Sequence, residues 1–206
     1  MDEMKPYVDL ARILGKVYYQ VNSHTVKKIE VTCRGELADR ETRVISLSAL
    51  KGLLESGTEE TINFINAEII AESYGVELVE SKNKHLDKYS NLITVKFIAD
   101  DKELSVSGTV FAKEEIRIVD FFGYKLDFEP APFVIAIENI DKPGIIGQIG
   151  SILGSRGINI AAMQWSRNRK GEKAVSFVSV DSEISGEMLE LLRGIDGVLK
   201  ATMMRF

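Results

Sequence analysis

Two prolines within four residues, Glu129-Pro130-Ala131-Pro132, divide this sequence more firmly than any other feature. A proline has no N–H to donate, and it drives the residue before it into extended backbone. No helix or paired strand is expected to continue through the segment, which reads as a stiff connector. Hydrophobic residues make up 45% of the 206, enough for a core on each side. The expected domains are residues 1–129 and 133–206.

After the connector the pattern alternates between strand and helix. Phe133–Asn139 reads as a strand. A helix follows from about Gly144 to Arg156, with Ile145, Ile149, Ile152 and Leu153 on one face. Gly157 stands where a left-handed residue ends a helix. Ile158–Arg167 is the second strand, Asn168-Arg169-Lys170-Gly171 a hairpin turn, and Lys173–Asp181 the third strand. Ser185 caps a helix carrying Met188, Leu189, Leu192 and Ile195, and Val198–Arg205 closes the set. The β-α-β-β-α-β order is ferredoxin-like. Both helices then cover one sheet face, leaving the other face and the edges for another domain or a second copy.

The first half reads as α+β, helices first and then a mainly antiparallel meander. Pro6 to about Asn22 is a helix with Tyr7, Leu10, Leu14, Val17 and Val21 in one stripe. Lys28–Cys33 alternates as a strand. Thr42–Ser56 is expected to begin extended and pass into a short helix. Thr58 is expected to cap the next helix, with Ile62, Ile65 and Ile69 on its buried side and Gly75 at its end. Four strands follow, Val76–Lys82, Leu92–Ala99, Leu104–Phe111 and Ile116–Phe122. A polar loop from Ser81 to Ser90, including Asp87, separates the first two. Asp100-Asp101-Lys102 is a tight turn between the second and third.

Composition removes several classes of function. The net charge of −5 argues against a nucleic-acid partner, because phosphate contacts need a basic surface. No apolar run reaches the length of a membrane span. The opening Met-Asp-Glu-Met-Lys-Pro lacks the apolar core of a signal peptide, and the expectation is a cytoplasmic protein. Cys33 is the single cysteine and reads as a small strand residue. With only His24 and His85 besides, no metal cluster is expected.

The chemistry concentrates at Asn139-Ile140-Asp141-Lys142-Pro143-Gly144. A strand running into a helix N-terminus presents unpaired N–H groups that suit a carboxylate. Gly144 has no side chain to block close approach. Asp141 can accept from an ammonium, and Asn139 and Asn159 can hold a backbone or a short polar group. Asn159 opens the second strand, which is expected beside the first, facing the same cavity. The same residues also make an ordinary turn, with Asp141 as helix N-cap and Pro143 in the first turn.

Asp141-Lys142-Pro143-Gly144 with Ile145, Gly147, Leu153, Gly157, Asn159 and Ile160 resembles the ACT domain, a small-molecule sensing module of amino-acid metabolism. Ala49-Leu50-Lys51-Gly52-Leu53-Leu54, Asn63, Asn66-Ala67, Ser107-Gly108-Thr109, Arg117-Ile118-Val119 and Gly123-Tyr124 resemble the intervening domain of long-form D-3-phosphoglycerate dehydrogenases. The resemblance runs from about Pro6 to Phe206. It implies L-serine bound between the ACT domains of two subunits, with Asn139, Asp141 and Asn159 as contacts and Pro143, Gly144, Ile145 and Ile160 beside them. It also implies an anion site at Arg117. Glu129 stands where some members carry a second basic residue, and Lys125 is the nearby substitute.

The sequence has no Gly-x-Gly-x-x-Gly after a strand and no Ser/His/Asp or Cys/His set. Gly144, Gly147, Gly150 and Gly154 fall in the helix, where they allow close packing. The expectation is a regulatory, effector-binding chain that is not an enzyme and holds no cofactor, NAD belonging to a catalytic part outside it. Two alternatives stand beside it. One is the beta-type subunit of an iron–sulfur L-serine dehydratase, for which Asn22-Ser23-His24-Thr25 is the only matching segment. The other is a purely structural oligomerisation module.

Overall fold

A computed structural model describes residues 3–85, 88–100 and 102–206. Asp87 of the expected polar loop and Asp101 of the expected turn lie outside the described residues. The chain divides into two compact units, Met1–Gly123 and Tyr124–Phe206.

In the first unit, α1 (Lys5–Val21) and α2 (Arg43–Gly57) lie side by side. They run parallel: Ser48 donates to the Val8 carbonyl at 2.8 Å, Arg12 forks onto the Glu55 carboxylate, and Gly57 meets the Tyr19 ring further along. Two glycines let the backbones touch. A Cβ on Gly15 would stand 2.0 Å from the Ala49 carbonyl oxygen, and one on Gly52 2.1 Å from that of Arg12. This contact explains why α2 is helical from Arg43, where the sequence reading expects an extended start. Packing along α1 outweighs a propensity difference of a few tenths of a kcal/mol.

The helices cover a sheet of β1 (Lys28–Gly35), β2 (Glu77–Asn83), β3 (Asn91–Ala99), β4 (Lys102–Phe111) and β5 (Glu115–Phe121). The strands that fall within this unit have the order β2-β1-β3-β4-β5. Among the described residues of this unit only the β1–β2 pair is parallel. The core joins Leu10, Leu14, Leu50 and Leu53 of the helices with Ile29, Val31, Ile93, Val95 and Phe97 of the strands, all 0–1% exposed.

Thr58 does not begin the next helix. Its N–H and its hydroxyl both donate to the Leu54 carbonyl and close α2. Residues 58–66 stay irregular, held by Asn63 and Asn66: the Asn63 side chain accepts from the N–H groups of Ile65 and Asn66, and the Asn66 side chain from that of Asn63. Such Asx turns compete with the helix for backbone donors. The helix α3 therefore spans only Ala67–Ser73 and buries Ala67 and Ala71. Ile62 is buried as expected, but Ile65 and Ile69 are 89% and 68% exposed. Gly75 ends the helix at φ 70°, with the Val76 N–H returning to the Ala71 carbonyl.

The second unit contains β6 (Tyr124–Phe128), β7 (Phe133–Ile140), α4 (Ile145–Ser155), β8 (Ile160–Arg167), β9 (Lys173–Val180), α5 (Gly186–Arg193) and β10 (Val198–Arg205). The sequence reading missed β6, which lies ahead of the proline pair. It joins this unit because Gln164 and Ser166 of β8 donate to the Asp127 and Lys125 carbonyls and Phe128 stacks on Phe177, with centroids 5.0 Å apart. The sheet is antiparallel in the order β10-β7-β9-β8. The α+β class and the β-α-β-β-α-β order match the expectation. Ile135, Ile137, Val178 and Val180 meet Ile145, Ile149, Leu153, Met188 and Leu192 in one core.

One expectation fails here. The second strand of the motif, β8, does not lie beside the first, β7. The crossover through α4 passes over β9, so β9 separates them and β8 is an edge.

Candidate functional site

The strand β7 delivers the turn. Asn139 is 0% exposed; its side-chain N–H donates to the Ile140 carbonyl at 2.8 Å, and its Oδ1 has no partner among the described residues. A buried acceptor without a donor is costly, so this oxygen marks an unsatisfied position at the end of the strand.

The Asp141 N–H pairs with the Glu172 carbonyl at 2.7 Å, which ties the turn to the β8–β9 hairpin. Asp141 is not the helix cap. Gly144 takes that place at φ 94°, a backbone that side-chain-bearing residues avoid, and no side chain caps α4. The first-turn N–H groups of α4 are thus free of side-chain acceptors, at the positive end of the helix dipole.

The Asp141 carboxylate already has partners. Its Oδ2 accepts from Arg167 Nη1 at 2.6 Å and from the Gly171 N–H at 3.2 Å. The Arg167 hydrogen bond, and then that of Gly171, hold the carboxyl below the ordinary aspartate range. Neither residue was expected from the sequence. The only signal was that Arg167 ends the second strand at the hairpin; its approach to Asp141 follows from the register that pairs Ile140 with Lys173 and Arg167 with Ala174.

Of the expected effector contacts, Asn139, Asp141, Pro143, Gly144 and Ile145 follow one another at this end of the sheet. Ile145 is wholly buried in the core. Asn159 and Ile160 are elsewhere. Ile160 pairs with Val180 at the far end of β9, and the Asn159 side chain donates to Asp181 at 2.8 Å. The eight residues of β9 separate the two groups by roughly 20–25 Å. One copy therefore does not bring Asp141 and Asn159 to a common small ligand.

At the expected anion site, Arg117 of β5 pairs with Glu115 and the Ile116 carbonyl, both at 3.3 Å. Lys125 belongs to β6, in the other unit. Cys33 is 1% exposed, and burial pushes its thiol up to about 12, which removes it as a nucleophile. Among the described residues no group of three or more His, Cys, Asp or Glu can hold a metal ion. Among the described residues no helix is long and apolar enough to cross a membrane.

Fold and turn define a two-domain α+β protein whose second domain is of the ACT type. The family model for the ACT domain matches residues 133–197, and that for the D-3-phosphoglycerate dehydrogenase intervening domain matches residues 3–122. The chain belongs to the D-3-phosphoglycerate dehydrogenase intervening-domain family, and it corresponds to the regulatory region of those enzymes. It is 34% identical to the D-3-phosphoglycerate dehydrogenase of Methanocaldococcus jannaschii, over 96% of this chain and 37% of that one. The enzyme of Archaeoglobus fulgidus is 33% identical over 97% and 38%, and that of Synechocystis sp. 31% over 98% and 36%. The chain thus spans well under half the length of these relatives.

Proposed function

We propose that the ACT domain binds L-serine between two copies of the chain and so places a D-3-phosphoglycerate dehydrogenase under feedback control by its pathway's end product. The separation of Asp141 from Asn159 carries this reading. The edge strand β8 pairs with no second neighbour among the described residues. If two copies meet along it about a two-fold axis, the strands run antiparallel. The Asn159 end of one copy then lies against the Asp141 end of the other, and each interface holds two identical sites.

In each site the ligand carboxylate lies at the uncapped N-terminus of α4, its ammonium at Asp141, and its hydroxyl within reach of the other copy's Asn159. Support also comes from α4, where a Cβ on Gly147, Gly150 or Gly154 would meet nothing within 4 Å. The close packing expected of these glycines is therefore not used inside one copy, and it suits a helix from the second.

A ligand shared by two copies favours the paired arrangement over the separated one. That differential affinity is what transmits control to a catalytic part. NAD and the dehydrogenase chemistry belong to that part, in the cytoplasm, and not to this chain. Titration calorimetry with L-serine tests the proposal. The wild type gives binding heat that Asp141→Ala abolishes. No heat at millimolar L-serine removes the serine assignment. A thermal-shift panel of amino acids that moves no melting temperature leaves an oligomerisation module instead.

A further inference from the structure

Asp141 faces two claims on one carboxylate. Its side chain is 14% exposed, and Arg167 already holds Oδ2 at 2.6 Å. Arg167 is half exposed and stands at the end of the edge strand β8, and its side chain makes no other polar contact among the described residues. Nothing but Asp141 anchors its guanidinium, so it is free to turn away. A ligand ammonium seeking Asp141 meets a positive charge already in place.

We propose that Arg167 is the site's internal competitor: its guanidinium occupies Asp141 in the empty site, and a ligand's ammonium takes the carboxylate only by displacing it. The inference rests on reading the Asp141 turn as an amino-acid site. Displacement leaves a guanidinium within a few ångströms of the newcomer. A plain amine offers it only like charge. An α-amino acid brings a carboxylate that neutralises it, beside the α4 N-terminus. Arg167 therefore selects zwitterions over amines, and it is a specificity residue that none of the motif positions supplies.

Calorimetry of the wild type, Arg167→Gln and Arg167→Lys with L-serine and with ethanolamine tests this, since ethanolamine is serine without its carboxylate. In Arg167→Gln the preference for L-serine over ethanolamine falls by up to about fivefold, the weight of one partly exposed charge pair. Arg167→Lys keeps the charge and retains the preference.

A preference that stays the same in Arg167→Gln, or ethanolamine that still fails to bind it, overturns the competitor role while leaving L-serine binding intact. If neither the wild type nor Arg167→Gln binds L-serine, the amino-acid reading of the turn fails, and this inference fails with it. Thermal unfolding of each variant confirms that the fold is kept.

Discussion

Asp141 and Asn159 stand at opposite ends of one four-stranded sheet, each engaged by a local partner, Arg167 for the first and Asp181 for the second. If they serve one ligand, they do so from two chains. This predicts complementation. Asp141→Ala and Asn159→Ala each abolish L-serine binding as homodimers. A mixed dimer of the two variants carries one intact site and one doubly altered site. An equal, freely exchanging mixture recovers about a quarter of the wild-type stoichiometry. Calorimetry of the mixture measures this, and no recovery contradicts a site shared between two copies.

The glycines of the two units predict opposite responses to alanine. At Gly15 and Gly52 an added methyl runs into carbonyl oxygens at 2.0 and 2.1 Å. Gly52→Ala should cost at least about 2 kcal/mol by overpacking, despite a helix-propensity gain of about 1 kcal/mol. Gly150→Ala meets nothing within 4 Å. It should stabilise the separate copy by up to about 1 kcal/mol while weakening association of two copies. Urea unfolding and sedimentation velocity separate the two effects.

Asp141 sets a pH dependence with a definite sign. Arg167, and then Gly171, depress its pKa in the folded state. The contribution of its negative charge is therefore complete above about pH 4, the unfolded aspartate range, and is lost as pH falls through the depressed value. L-serine affinity should not lose the Asp141 contact between neutral pH and about pH 4. Arg167→Gln should move the loss to higher pH. Carboxyl NMR titration of Asp141 in both proteins reads it directly.

Cys33 should resist alkylation at pH 8 at a rate set by unfolding, since its thiol is buried and pushed up to about 12. A raised folded pKa means that this group's stabilising contribution is whole below the ordinary 9.0 and erodes as pH rises from there toward about 12. Labelling with iodoacetamide across a urea series checks it. Rapid labelling of the native chain contradicts the buried position.

Tyr18 is 1% exposed, and its hydroxyl has no hydrogen-bond partner among the described residues. Tyr18→Phe removes that unpaired group and keeps the ring contact with Phe97 at 5.0 Å. Stability should rise by about 1 kcal/mol. A lower urea midpoint reveals a partner for the hydroxyl.

Local signals located most elements. The Leu10, Leu14 and Val17 stripe placed α1, Ser185 placed the start of α5, and Gly75 and Gly157 placed two helix ends at positive φ. These signals lie within one or two turns of chain, where propensity and capping act. The irregular stretch before α3 escaped them because Thr58, read as a helix start, spends its N–H and hydroxyl on Leu54 of the preceding helix. The strand β6 escaped although a local signal precedes it, the positive-φ turn at Phe122 and Gly123.

By itself the sequence determined the α+β class, the β-α-β-β-α-β order of the second unit and the turn from Asn139 to Gly144, because periodicity and turn residues report on neighbours in the chain. Only the tertiary structure decided that β9 lies between β7 and β8. That single placement brings Arg167 to Asp141, sends Asn159 to the far end of the sheet, and puts β8 last in the four-stranded order. Strand order depends on how a crossover packs across the whole sheet, and no local run of residues encodes it.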